Sequence, residues 1–251
     1  MIIIKNADEI KSLKNACIIS AGVLNYVGEQ ICAGMTTYEL DKIIHDYIIA
    51  HGAKPGFLGM YGFPGSACIS VNDEVIHGIP SKKVIIRSGD IVSVDTGAFI
   101  GGFHGDNAFT YQVGKVSPVA EKLCRVTNEC LALGIAAARP GNRIGDIGYA
   151  VQKHAEENGF SVVREYVGHG IGRDLHEDPE VPNFGRAGRG VRLVPGMTIA
   201  IEPMITEGSC EVNVMSNEWT VKTVDGGLAA HFERTIAIGA NGPEILTNWD
   251  L

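Results

Sequence analysis

The sequence predicts an α+β fold in which a helix-helix-strand-strand unit is used twice around an antiparallel sheet. Three observations predict it: four helical segments marked by apolar spacing, caps or stop glycines, a set of landmarks recurring at one offset, and carboxylates closing matching apolar runs. Of 251 residues, 45% are hydrophobic and 20% charged, a globular composition that sets aside disorder, collagen and coiled coil. The formal net charge of −8 argues against a nonspecific nucleic-acid binder, which carries a basic surface.

The first helix is expected from Asn6 to Ala33, where Ile10, Leu13, Cys17, Ala21, Leu24, Val27 and Ile31 form one apolar face. A second opens at Thr36, since Thr36-x-x-Glu39 has the form of a capping box. It runs through Leu40, Ile43, Ile44, Tyr47 and Ile48 and stops at Gly52. Ser117-Pro118 supplies a capping hydroxyl and a proline at the first helical position, opening a helix to about Arg139. A fourth spans roughly Gly145 to Asn158 and ends at Gly159.

Gly34, Gly52, Gly89 and Asp95 recur as Gly141, Gly159, Gly196 and Glu202, each displaced by 107 positions. The two carboxylates close equivalent apolar runs, Ile91-Val92-Ser93-Val94 and Thr198-Ile199-Ala200-Ile201. No linker rich in Pro, Ser or charge divides the halves, so a single domain over residues 1–251 is expected.

An ionised carboxylate at the end of an apolar strand needs a cation or several donors. Asp106 lies on a strand returning from Gly101-Gly102. A two-residue turn at Ile100-Gly101 sets it directly opposite Asp95, and a turn at Gly101-Gly102 shifts the pairing yet keeps both on one face; a three-residue loop would separate them onto opposite faces unless a bulge intervened. Facing carboxylates are relieved by a shared proton or by a divalent ion. Glu233 opens a later strand 127 positions after Asp106, so about twenty residues, Trp219 among them, have been added to the second hairpin. Between the halves lies Gly168-His169-Gly170. Four carboxylates and an imidazole suit a binuclear site for a hard or borderline divalent metal. Taken singly, each has a plainer explanation: Asp95 and Asp106 as turn carboxylates, Glu202 as the partner of Arg234, His169 as a loop histidine.

The six cysteines include no C-x-x-C pair and read as free thiols in a reducing compartment, the cytoplasm, with Cys17 and Cys32 in a helical pattern. No apolar run is long enough for a membrane span, and the first six residues do not form a signal-peptide core. No G-x-S-x-G elbow, H-E-x-x-H or phosphate loop occurs. Arg186, Arg189 and Arg192 read as a solvated loop.

Five separated stretches, in order, resemble type I methionine aminopeptidases. They are Cys68 to Pro80, Gly89 to Val92, Gly102 to Asp106, Gly168 to Gly172, and Ile201 to Pro203. The resemblance covers nearly the whole chain and implies the pita-bread fold, a pseudo-twofold arrangement around a curved antiparallel sheet. It implies metal ligands at Asp95, Asp106, His169, Glu202 and Glu233. Asp106 and Glu233 would bridge two ions, Asp95 would complete one site, and His169 and Glu202 the other. The ions would be Co, Mn, Fe, Ni or Zn, since such donor sets do not select among them.

The implied activity is removal of the initiator methionine from nascent chains with a small second residue. Two ions would lower the pKa of a shared water, and the substrate amine would bind one of them. Glu202 would act as general base and shuttle, while His77 and His176 would hydrogen-bond the substrate amide and oxyanion. The acids after His176 would favour its cationic form. Phe57, Met60, Phe63, Cys68, Leu175, Met204 and Trp219 would form a soft apolar pocket for a thioether. Phe57, Met60 and Leu175 depart from residues that several family members carry. The implied partners are the nascent N-terminus and the ribosome, for a monomer with neither a membrane nor a nucleic-acid role.

Two other functions compete. A proline-directed peptidase on this fold carries an added N-terminal domain, for which a first helix near Asn6 leaves no room. A noncatalytic peptide or ribosome adaptor would have lost ligand positions, whereas all five are filled.

Overall fold

Asn6 and Thr36 start the first two helices as full capping boxes, each exchanging hydrogen bonds with a glutamate three residues on. The computed structural model describes residues 1–251. Helix α1 (Ala7–Gln30) buries Leu13, Cys17, Ala21, Leu24 and Val27, the expected face. It ends three residues earlier than the apolar pattern suggests, because Ile31 turns extended (φ −64°, ψ 125°). Cys32 therefore lies off the helix and is exposed, which corrects the expectation that it belongs to the helical stripe. Helix α2 (Thr37–Ala50) buries Leu40, Ile44 and Ile48 and is stopped by Gly52, whose φ of 75° suits glycine alone. Ser117 caps α3 (Pro118–Ala137) through the Ala120 amide, and α4 (Ile144–Glu157) follows.

The strands are β1 (Lys54–Pro55), β2 (Ala67–Val71), β3 (Glu74–Ile76), β4 (Ile91–Ile100) and β5 (Phe103–Gln112) in the first half. In the second half β6 (Ser161–Val162), β7 (Gly168–Gly170), β8 (Glu177–Val181) and β9 (Thr198–Ile201) come first. There follow β10 (Met204–Thr206), β11 (Val212–Val214), β12 (Val221–Thr223), β13 (Ala229–His231), β14 (Glu233–Gly239) and β15 (Gly242–Ile245). The main sheet runs β1-β4-β5-β14-β9-β7-β8, with β2 also on β4 and β15 on β14, and its pairings are antiparallel.

The internal repeat is structural. Helices α2 and α4 each have 14 residues, and the bridge Thr36↔Ile85 recurs as Arg143↔Arg192. The hydrogen bond from Gly34 N to Ile86 O recurs from Gly141 N to Leu193 O, at 2.8 and 2.9 Å. The added residues of the second half form β10 to β13, which build two small sheets with β6 and β3. A core of 42 buried residues, drawn from both halves, fills the space between the helices and one face of the main sheet. The opposite face carries the carboxylates.

Candidate metal centre and its cavity

The turn between β4 and β5 is Gly101-Gly102, both at positive φ (62° and 81°), which matches the right-handed twist of the two strands. In that register Asp95 faces Ala108 and Asp106 faces Gly97, the second of the two two-residue turns open in the sequence, and the three-residue loop is excluded. Both carboxylates share one face, because Asp106 and Ala108 are two residues apart. Asp95 lies midway along a ten-residue strand rather than at its end. From the other side of β5, β14 places Glu233 opposite Ala108. Strand β9 pairs Ile201 with Arg234, which brings Glu202, the next residue, level with Glu233. Arg234 is turned away from Glu202: its guanidinium donates to Thr247 O and Asn248 Oδ1 and stacks on Trp249 at 3.6 Å.

His169 enters from β7. A Cβ on Gly168 would strike Ala200 O, and one on Gly170 would strike Asp178 O, so the flanking glycines let three strands approach closely. The Gly170 carbonyl lies 2.8 Å from His169 Nδ1 and can only accept, so Nδ1 carries the proton and Nε2 presents its lone pair. Nε2 lies 3.7 Å from Asp106 Oδ2 and 3.5 Å from Glu202 Oε1. Ligand atoms of Asp106, His169 and Glu233 lie within 4.8 Å of one another. Asp95 and Glu202 stand beside these three in the same cavity.

Burial, and then mutual repulsion with Asp106, pushes the carboxyls of Asp95, Glu202 and Glu233 well above the usual range. Burial pushes Asp106 to about 7, with the Asn107 amide opposing it. Burial and the neighbouring His176 lower His169 to about 4. No lysine or arginine pairs with any of the four carboxylates. Asp95 Oδ1, Asp106 Oδ1 and Glu233 Oε1 are buried without a hydrogen-bond partner. Orphaned carboxylate oxygens around a free imidazole lone pair fit divalent metal ions.

The centre floors a cavity of about 470 Å³. Phe57, Met60, Phe63, Cys68, Leu175 and Trp219 line it with His77 and His176. Met204 does not. It is fully buried in a separate cluster with Val75, Ile76, Val163 and Val221, because the short β10 strand is enclosed between β13 and β6. His77 sits at φ 57°, a left-handed conformation that is strained for a side chain with a Cβ. A Cβ on Gly78 would overlap Ile69 O, and the Gly78 amide donates to Ser70 Oγ at 3.1 Å, so the chain beside His77 is pinned. Burial, reinforced by His176, lowers His77 to about 4.

His176 is also lowered, by desolvation, which corrects the expectation of a cationic ring. The adjacent acid is already engaged: Glu177 pairs with Lys5. Two aromatic cavity residues and one buried histidine behind the centre escaped the sequence argument. Tyr61 lies nearly parallel to His176, with ring centroids 6.5 Å apart, and Tyr166 meets His77 edge-on at 5.7 Å. Fully buried His231 has no partner for either ring nitrogen, and its Nε2 is 3.7 Å from Glu202 Oε2. Its one sequence signal is a place two residues before Glu233.

Residues 11–240 match the model of metallopeptidase family M24. The chain is 53% identical over 247 residues to a methionine aminopeptidase of Clostridium perfringens, covering 98% of this chain and 99% of that one. It is 49% identical over 247 residues to methionine aminopeptidase 1 of Bacillus subtilis, covering 98% and 99%. The crystal structure of methionine aminopeptidase from Thermotoga maritima superposes with a TM-score of 0.97 at 46% identity, over 99% of this chain and 100% of that one. A prolidase from Pyrococcus furiosus, at 23% identity and a TM-score of 0.79 over 99% of this chain and 66% of that one, shares the pita-bread fold. Matched in this way almost from end to end, the chain belongs to metallopeptidase family M24, and within it to the methionine aminopeptidases.

Proposed function

We propose that residues 1–251 form one catalytic domain that removes the N-terminal methionine from nascent polypeptides with a small second residue. The observation that carries this is the convergence of four carboxylates, three of them with a buried oxygen that lacks a hydrogen-bond partner, and one imidazole lone pair on the floor of a cavity walled by Phe57, Met60, Phe63 and Cys68. Asp95, Asp106, His169, Glu202 and Glu233 would hold two divalent ions. Co, Mn, Fe, Ni and Zn all suit such donors.

Bound ions supply Lewis acidity and a water of lowered pKa. Glu202, beside His169 at the floor of the cavity, is placed to take a proton and return it to the leaving amine. His77 and His176, both favoured as neutral rings, donate hydrogen bonds to the substrate amide and to the developing oxyanion. The soft walls, Cys68 and Met60 among them, suit a thioether, and a polar or charged first side chain would bury unpaired groups there.

The same proposal places the enzyme in the cytoplasm as a monomer that meets nascent N-termini at the ribosome, with no membrane or direct nucleic-acid contact. Six free cysteines support a reducing compartment, and no helix is long and apolar enough to cross a membrane. The test is hydrolysis of Met-Ala-Ser beside Ala-Pro-Ala, before and after chelation and metal return. Cleavage of the first alone, lost with chelator and restored by metal, is expected. Cleavage of the second alone would establish a proline-directed peptidase instead, and cleavage of neither with any metal would leave a noncatalytic adaptor.

A further inference from the structure

Glu177 closes the loop that carries His176. Its Oε1 accepts the Arg173 amide at 2.9 Å and the Asp174 amide at 3.4 Å, drawing residues 173 to 177 into a compact turn. Leu175 and His176 project from that turn into the cavity, and the His176 ring centroid stands 4.5 Å from that of His169. The other oxygen, Oε2, accepts from Lys5 Nζ. The pair is enclosed, with side chains 2% and 4% exposed for Lys5 and Glu177. Lys5 Nζ has no other acceptor.

Lys5 is itself fixed. Its amide donates to Gly196 O at 2.8 Å, at the entry to β9, and the same peptide wall excludes any side chain at Gly196. A Cβ on Gly172 would lie 2.5 Å from Glu177 Oε1 and 2.6 Å from Lys5 Cε, so glycine is what lets the lysine reach the loop. Gly172 O accepts the His104 amide at 2.8 Å, which tethers the start of the turn to β5. The turn is thus held at its start by β5 and at its end by the pairing of Glu177 with Gly170 across β7 and β8. Lys5 is the one contact from outside the turn that engages the Glu177 side chain.

We infer that Lys5 is a positioning residue for His176: through Glu177 it fixes the 172–177 loop against the entry to β9 and so sets where the imidazole stands beside His169. A buried carboxylate that loses its cation seeks water, and the loop that carries it follows. A shift of about 1 Å in a catalytic group costs about a hundredfold in rate. The consequence for turnover rests on the aminopeptidase reading, whereas the geometric coupling does not.

The experiment is a double-mutant cycle on the metal-loaded enzyme with Met-Ala-Ser, comparing Lys5→Met in the native and His176→Ala backgrounds. In the native background kcat is expected to fall about 10- to 100-fold with KM changed less than about threefold. In the His176→Ala background the same substitution is expected to cost less than about threefold, because its route to the reaction is gone. Lys5→Arg keeps the ion pair and should retain most of the activity. Equal losses in both backgrounds, or no loss in either, would overturn the inference.

The double variant Lys5→Met/Glu177→Gln guards against simple unfolding. It leaves no orphaned charge, so thermal stability recovers while kcat stays low; recovery of both would show a role in stability alone. The wild-type reaction keeps the two readings apart, since failure of the wild type to cleave Met-Ala-Ser sinks the proposed function and not the coupling. In that event the His176 ring signals of 15N-histidine-labelled, metal-free protein decide. They are expected to broaden or shift in Lys5→Met, and unchanged signals overturn the inference.

Discussion

Asp95 and Glu233 meet across a single alanine: each pairs with Ala108, one from either side of β5. Directly opposed residues project to the same face, so the Ala108 methyl lies in the row between the two carboxylates. A branched side chain there would intrude between the two carboxylates. Ala108→Val is expected to weaken Mn or Co binding at least about tenfold by titration calorimetry, whereas Ala108→Ser, nearly the same size, leaves it within about threefold. An unchanged affinity in the valine variant would place the ions elsewhere.

The raised carboxyls set a pH dependence for the metal-free protein. A carboxyl whose folded pKa is raised binds more protons folded than unfolded. Its contribution to stability is full below the unfolded value near 4 and fades as pH climbs through the folded value, about 7 for Asp106. The imidazoles act in the other direction. His77 and His169, lowered to about 4, and His231, lowered to about 3, contribute fully above the unfolded value near 6.5 and lose that contribution as pH falls. Asp106→Asn isolates the first effect. Metal-free Asp106→Asn should exceed the wild type by roughly 2–4 kcal/mol in urea unfolding at pH 8, with the gap closing toward pH 4. A gap that widens on acidification would contradict the assignment.

His77 combines a strained backbone with a cavity-facing ring. His77→Ala is expected to lower kcat about a hundredfold while metal stoichiometry stays unchanged. The φ of 57° adds a second expectation. His77→Gly should be about 1 kcal/mol more stable than His77→Ala, because glycine alone adopts that conformation without strain. Metal analysis and thermal unfolding of the two variants check both, and loss of metal in either would recast His77 as a support of the centre.

Met204 and Phe63 separate core from cavity. Met204→Ala leaves a void in the small cluster around Val75 and Val221, and should cost about 2–5 kcal/mol of stability with KM for Met-Ala-Ser within about threefold. Phe63→Ala removes a cavity wall that packs edge-on against Trp219 at 5.1 Å, and should raise KM several-fold. Steady-state kinetics paired with urea unfolding distinguishes the two; a raised KM in Met204→Ala would restore that methionine to the pocket.

What the sequence made legible was local, or repeated. Asn6, Thr36 and Ser117 announce their helices because a cap and its partners lie within three residues. The two halves show through because Gly34, Gly52 and Gly89 and their counterparts all sit at positive φ, where few other residues fit. The register of the first hairpin stayed open, since Ile100-Gly101 and Gly101-Gly102 both offer a glycine to the turn, and only the paired strands decide. The neutral state of His176 is not legible in the sequence because its burial comes from distant segments, and the lysine that engages Glu177 lies 172 positions from it in the chain. His231 and Met204 were hidden for a related reason: each sits on a three-residue strand whose surroundings come from distant segments.

The repeated halves bear on ancestry. Asp95 and Asp106 come from the first repeat, and Glu202 and Glu233 from the second, so each contributes one hairpin's pair of acids. A chain half as long could assemble the quartet only by self-association, with identical protomers facing each other across the four acids. The second copy carries what the first lacks, the imidazole of His169 and the added strands from β10 to β13.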